Sequence, residues 1–253
     1  MCWLRIVDNC FSLPRKEYEL LHRSMTLRIQ ISAALIAFSP SVALYAIVVS
    51  KSSLLIVIAI AAAGFWLLSI SAVSFVWTLV PLPTEGSLIL GAAIQEGARL
   101  AFVRVYREVE RSVHRDNARY PGRPLELPMH DASSSVAAGF GFGTFHVLVI
   151  SGGVIASSGG QATTYEDSCP RVPVVLMSAY FALAFFILDV LFTAVIFHAE
   201  RRGRVKWVFA FVLFIHAAAA VSTAFPCWLS IPLLAAVVVS ALLICLRALR
   251  AVT

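Results

Sequence analysis

Five ionisable side chains stand inside otherwise apolar runs of this chain: Glu96, Arg99, His146, Asp189 and His216. A charge sunk in hydrocarbon is costly, so such groups face protein partners or water. Glu96 and Arg99 are three residues apart and meet on one face of a helix, which reads as an internal ion pair locking helix packing. The functional alternative is an ion pathway through the same residues. Asp189 lies in Phe186-Ile187-Leu188-Asp189-Val190 and His216 in Phe214-Ile215-His216-Ala217. If those two runs pack side by side, Asp189 and His216 can hydrogen-bond to each other, as a structural pair rather than a catalytic dyad. His146, close to Gly141 and Gly143, reads as a packing or hydrogen-bonding histidine.

The spacing of these residues matches neither an intramembrane aspartyl protease, nor a membrane-embedded serine protease, nor a His-Glu-x-x-His zinc protease. An intramembrane aspartyl protease needs Gly-x-Gly-Asp and a second intramembrane aspartate, so that two carboxylates share a proton. Gly139-Phe140-Gly141 is followed by Phe142, and Asp189 is the only aspartate in a long apolar run. A serine protease of the membrane-embedded type needs Gly-x-Ser-Gly, and Val149-Ile150-Ser151-Gly152 lacks the first glycine. His198-Ala199-Glu200 is not the His-Glu-x-x-His of a zinc site. The cysteines at 2, 10, 169, 227 and 245 have no metal-ligand spacing, and Cys169 and Cys227 read as free thiols. No catalytic residue, metal or cofactor is expected.

The elements that must hold these groups are membrane helices. Of 253 residues 60% are hydrophobic and only 13% charged, with a mean hydropathy of +0.86. Soluble domains are about 45–50% apolar and about 25% charged, so a water-soluble fold is excluded. About 20 apolar residues cross the ~30 Å of hydrocarbon. Seven runs qualify: 27–49, 54–80, 87–106, 133–157, 173–198, 206–225 and 229–247. The runs are continuous rather than alternating, so they are helices and not barrel strands. The expected fold is all-α and polytopic, with seven transmembrane helices. Residues 26–253 form the membrane domain, and 1–25 an N-terminal tail whose presence in the mature protein is open.

The net charge of +6 follows membrane topology rather than nucleic-acid binding. With the N terminus luminal or extracellular and the C terminus cytosolic, the inner loops collect Lys51, Arg104, Arg107, Arg111, Arg115, Arg119, Arg123, Arg201, Arg202, Arg204, Lys206, Arg247 and Arg250, against Arg171 outside. The tail, with Arg5, Arg15, Lys16 and Arg23, runs against that pattern. It is either a tolerated extension or precedes a true start at Met25. The third helix is expected to continue past the membrane, with Arg104, Glu108 and the Arg107/Arg111/Arg115 row solvated near anionic headgroups. Gly139 and Gly143 are four apart, a spacing that lets helices approach closely.

In order along the chain, several motifs resemble one family. They are Ala34-Leu35-Ile36-Ala37-Phe38-Ser39-Pro40 with Ala43-Leu44, Phe65-Trp66-Leu67-Leu68-Ser69 with Val76-Trp77, and Gly91-Ala92-Ala93 with Gln95-Glu96 and Arg99. Gly139-x-x-x-Gly143, Phe197 to Arg202, His216 and Phe225-Pro226-Cys227-Trp228 follow. Together they resemble the anterior-pharynx-defective (Aph) subunit of γ-secretase, from about Met25 to Trp228. The resemblance implies a non-catalytic scaffold that binds nicastrin, presenilin and the presenilin enhancer subunit. The assembled complex cleaves type I membrane proteins, including Notch-type and amyloid-precursor-type substrates where present. It implies residence in endoplasmic reticulum, Golgi, endosomal and plasma membranes. The family's glycine row falls on Gly139, Gly143 and Val147, so the third close-approach position carries a branched side chain. Its sixth-span histidine matches His216, while its fifth-span histidine falls on Asp189. The expected roles are close helix contact for Gly139 and Gly143, and buried polar pairing for Glu96, Arg99, Asp189 and His216. The competing reading is a small-solute transporter or channel lined by Glu96, Arg99, Asp189 and His216.

Overall fold

In a computed structural model the chain is described over residues 15–80, 82–119, 131–157, 165–166 and 169–250. The proline-containing linker expected at 120–132 and the start of the tail lie mostly outside those residues. The long helices are α1 (Arg15–Ile47), α2 (Ser53–Leu79), α3 (Thr84–Arg119) and α4 (Asp131–Val147). A π-helical turn (Leu148–Gly152) joins α4 to the short α5 (Gly153–Ser157). Then come β1 (Tyr165–Glu166), β2 (Cys169–Pro173), α6 (Val174–Arg201), α7 (Val205–Ser222) and α8 (Cys227–Arg250). The two strands pair antiparallel as a hairpin ahead of α6. The α1 helix runs back to Arg15, beyond the expected boundary at residue 26.

The chain is an all-α polytopic membrane protein. Among the described residues six helical segments are long and apolar enough to cross a bilayer: Thr26–Lys51, Ser53–Leu79, Ala132–Ala156, Val174–Arg201, Val205–Ser222 and Cys227–Arg247. Their outer faces are apolar too, as at Leu35, Ile60, Leu68 and Phe214, each more than half exposed. Water does not tolerate such a surface, and lipid tails do. The seventh long helix, α3, falls below that level of apolarity because it carries Gln95, Glu96, Arg99 and a charged extension. Those three residues are buried within the protein.

At the centre of the bundle is α6, packed against α1, α3, α4, α7 and α8. Its tightest neighbour is α4, and glycine is the reason. A Cβ at Gly139 would stand 2.7 Å from the Val190 Cα, and one at Gly143 2.8 Å from Phe186 Cδ2. Two residues along a helix turn through about 200°, so Gly141 faces the other way. A Cβ there would stand 2.2 Å from the Ala59 carbonyl oxygen of α2. The glycines of α4 therefore admit α6 on one side and α2 on the other. Among the described residues these contacts join helices of this chain, the close helix contact expected for Gly139 and Gly143. Val147 is fully buried in a cluster with Ala33 and Ala37 of α1 and Val175, Ala179 and Ala182 of α6. Alanines opposite give the branched side chain its room.

The free thiols expected at Cys169 and Cys227 are instead a disulfide, with Cα atoms 5.5 Å apart. It ties the β-hairpin before α6 to the first residue of α8. Fifty-eight residues separate the two cysteines, so spacing alone carried no sign of the pairing.

Candidate functional site

Four helices meet at one buried polar chain. On α3 the residues Ala92, Glu96, Arg99, Val103, Tyr106 and Glu110 follow one another at steps of four, three, four, three and four, and all are buried. That period keeps one stripe of the helix against its neighbours. Glu96 and Arg99 occupy the stripe where α6 and α7 close over it. The Glu96 Oε2 and Arg99 Nε atoms are 3.0 Å apart. The other end of the guanidinium reaches α6: Nη2 forms an ion pair with Asp189 Oδ1, while Nη1 donates to the Asp189 carbonyl at 2.7 Å and to Thr193 Oγ1 at 2.8 Å. Thr193 in turn donates to the same carbonyl at 2.7 Å. The guanidinium lies over Phe142 at 5.0 Å and Phe192 at 5.8 Å from the ring centroids.

The imidazoles close the two ends. His146 Nδ1 is 2.9 Å from Asp189 Oδ2, and His216 Nδ1 is 2.6 Å from Glu96 Oε1. The order is thus His216 on α7, Glu96 and Arg99 on α3, Asp189 on α6 and His146 on α4. The expected Asp189–His216 pair does not form. Because α7 packs against α3, His216 is delivered to Glu96, and Phe192 of α6 packs against its ring at 5.9 Å. Asp189 finds its imidazole on α4, which the glycine contacts hold close. The expected Glu96–Arg99 pair is present.

Two carboxylates face one guanidinium, and each carboxylate also holds an imidazole nitrogen. Burying one charge alone costs several kcal/mol, whereas a paired and hydrogen-bonded set offsets that cost. Chemically the arrangement favours holding over reacting. Glu96 and Arg99 are fully buried, and Asp189 and His216 nearly so. No group of three or more metal-ligating side chains is placed for an ion among the described residues. A cavity of about 380 Å³ lies beside the chain, lined in part by Gln95, His146, His216 and Thr223. Its lining does not include Glu96, Arg99 or Asp189.

Residues 29–252 match the Aph-1 protein family. The chain belongs to the Aph-1 family. It is 30% identical over 186 residues to "Gamma-secretase subunit APH1-like" of Arabidopsis thaliana, covering 71% of this chain and 74% of that one. It is 28% identical over 207 residues to "Gamma-secretase subunit APH-1B" of Homo sapiens, covering 76% of each. It is 26% identical over 177 residues to "Gamma-secretase subunit Aph-1" of Drosophila melanogaster, covering 69% of this chain and 72% of that one.

This Aph-1 chain holds a second buried ionic group that its sequence did not single out. Arg107, expected in solvent, is 6% exposed. Its Nη1 donates to Glu110 Oε2 at 2.7 Å and its Nη2 to the Phe197 carbonyl of α6 at 3.1 Å. Arg201 of α6 donates to Glu110 Oε1 at 2.8 Å. The 3–4 stripe through Glu96 and Arg99 continues to Glu110, and that continuation was the available signal. Arg111 and Arg115, by contrast, are exposed as expected and pair with exposed Glu108. Glu110→Ala is therefore expected to cost about 3 kcal/mol, since it removes the carboxylate that pairs with buried Arg107 and with Arg201. Glu108→Ala, in an exposed pair, should cost well under 1 kcal/mol. Thermal unfolding of the full chain in mild detergent separates the two.

Proposed function

We propose that this chain is a non-catalytic scaffold subunit of a γ-secretase-type intramembrane protease complex, with presenilin, nicastrin and presenilin enhancer proteins as partners. The observation that carries the reading is the buried polar chain from His216 to His146. Its charged members point at one another, and its effect is to fix four helices in one arrangement. The names of the relatives supply the complex. A scaffold needs a rigid interior and an apolar exterior for other membrane helices, and the outer faces of α1 and α2 offer that exterior. The substrates proposed are type I membrane proteins, of Notch and amyloid-precursor type where a cell has them.

We further propose that α3 crosses the bilayer as a seventh span, with the N terminus luminal and the C terminus cytosolic. Two observations of different kind support that orientation. The basic loops gather on one side, and the Cys169–Cys227 disulfide lies at the opposite ends of α6 and α8 from Arg201 and Arg247. Disulfides persist in the lumen and outside the cell rather than in the cytosol. Cys169→Ser should therefore expose Cys227 to an impermeant maleimide added from the luminal side only. Labelling from the cytosolic side would reverse the topology.

Affinity purification of the tagged chain in mild detergent tests the reading as a whole. The expected result is recovery of presenilin- and nicastrin-class proteins with intramembrane proteolysis in the eluate. A chain that purifies alone and moves solutes in reconstituted vesicles is a transporter instead.

A further inference from the structure

On the basic side of the bundle, α6, α7 and α8 enclose an apolar groove of about 240 Å³ whose lining includes none of the ionisable residues of the buried polar chain. Phe192 and Val195 of α6, Val208 and Phe211 of α7, and Ala241 and Ile244 of α8 line it. Trp207, 83% exposed, stands at its rim. Each of the three helices carries a cation at or near its end on this side. Arg202 comes seven residues after Val195, Arg204 four before Val208 and seven before Phe211, and Arg247 three after Ile244. Three apart on α8, Ile244 and Arg247 share one side of that helix, while Arg202 caps the C-terminal end of α6 and Arg204 the N-terminal end of α7, next to the groove's Trp207.

The turn between α6 and α7 holds two of the three in place. Gly203 has φ +67°, a conformation that suits glycine. Its N–H donates to the Glu200 carbonyl at 3.3 Å, and the Arg204 N–H to the Ala199 carbonyl at 3.1 Å. These two bonds close the helix end as a Schellman-type cap and set Arg202 and Arg204 on either side of one glycine. Arg201 is turned away onto Glu110. Arg202, Arg204 and Arg247 are exposed and make no ion pair among the described residues.

We propose that this groove is a binding site for one anionic phospholipid, with an acyl chain along the groove and the headgroup phosphate among Arg202, Arg204 and Arg247. Charge complementarity selects that occupant. Basic pockets between membrane helices suit anionic headgroups, and an interfacial tryptophan sits at headgroup level. A zwitterionic lipid fills the groove but leaves the cations with no net negative charge to meet. A soluble phosphate meets the cations but leaves the groove bare.

The test is native mass spectrometry of the full chain equilibrated with equal amounts of phosphatidylserine and phosphatidylcholine. One retained lipid is expected, with phosphatidylserine favoured roughly tenfold by the basic cluster. The double variant R204Q/R247Q should keep lipid but lose the preference. V208W, which fills the groove, should retain less of both lipids. Glycerophosphoserine, the headgroup without chains, should not displace the bound lipid. Equal retention of the two lipids by the unaltered chain overturns the proposal, and so does a preference that survives in R204Q/R247Q. Full displacement by glycerophosphoserine also overturns it, as a phosphate site without a lipid. If V208W does not fold, the surface variant and the lipid competition still decide.

Discussion

Arg99→Met is expected to leave little folded chain in detergent extracts. Methionine fills much of the same space and keeps the aromatic contacts with Phe142 and Phe192, so lost packing is the smaller part of the effect. The larger part is electrostatic. Without the guanidinium, Glu96 and Asp189 face a fully buried position with no cation between them. Removing one partner of a buried pair costs about 3–5 kcal/mol, against a total stability of about 5–15 kcal/mol. Two carboxylates lose their guanidinium at once, each keeping only its imidazole. Arg99→Lys keeps the charge but not the fork, which spans Glu96, the Asp189 carbonyl and Thr193 together. It should fall between the two. The triple variant E96Q/R99M/D189N, which removes all three charges, should recover most of the folded yield. Thermal unfolding and monodispersity of the purified chain measure each step. If R99M alone matches the unaltered chain, the polar chain is not what holds the helices.

Among the described glycines, Gly141→Ala should be the most damaging alanine substitution. The added Cβ meets a backbone carbonyl at 2.2 Å, so α2 or α4 must move. Gly139→Ala meets backbone as well, at 2.7 Å, while Gly143→Ala first meets a side-chain atom, Phe186 Cδ2 at 2.8 Å, with the Phe186 backbone no nearer than 3.2 Å. The expected order of destabilisation is Gly141, then Gly139, then Gly143, with overpacking costs of about 1–3 kcal/mol or more. Gly97 and Gly64 have open space where a Cβ would go, so alanine there should be neutral or slightly stabilising. Folded yield and melting temperature of the five alanine variants rank them. An equal effect at Gly141 and Gly97 contradicts the packing account.

Much of this was readable from residue types. Continuous apolar runs with arginine-rich gaps dictated membrane helices, and the i, i+3 spacing of Glu96 and Arg99 dictated their pairing. Partner choice across helices was not readable in the same way. Asp189 and His216 lie near the middle of adjacent runs, yet α7 leans on α3 and delivers His216 to Glu96. That depends on which helices are neighbours, and sequence order does not state it. The glycine spacing identified a close approach on the Gly139/Gly143 side. It gave Gly141 no separate role, because its partner face on α2 is marked only by alanines. Arg107 was placed in solvent because the helix there reads as charged throughout. Only the continuing inward stripe from Arg99 to Glu110 distinguishes it from Arg111. The Cys169–Cys227 bridge joins β2 to the start of α8, and that proximity follows from α6 and α8 packing together.

The same polar chain could serve binding or chemistry, and the distinction has a direct readout. A graded series at Arg99, Asp189, His146 and His216, expressed in cells lacking the endogenous subunit, gives two numbers for each variant. One is the amount of assembled complex; the other is intramembrane cleavage per assembled complex. The account predicts that the first falls in step with loss of the buried pairs while the second stays constant. Normal amounts of complex with cleavage lost per complex would place these residues in the reaction itself and contradict it.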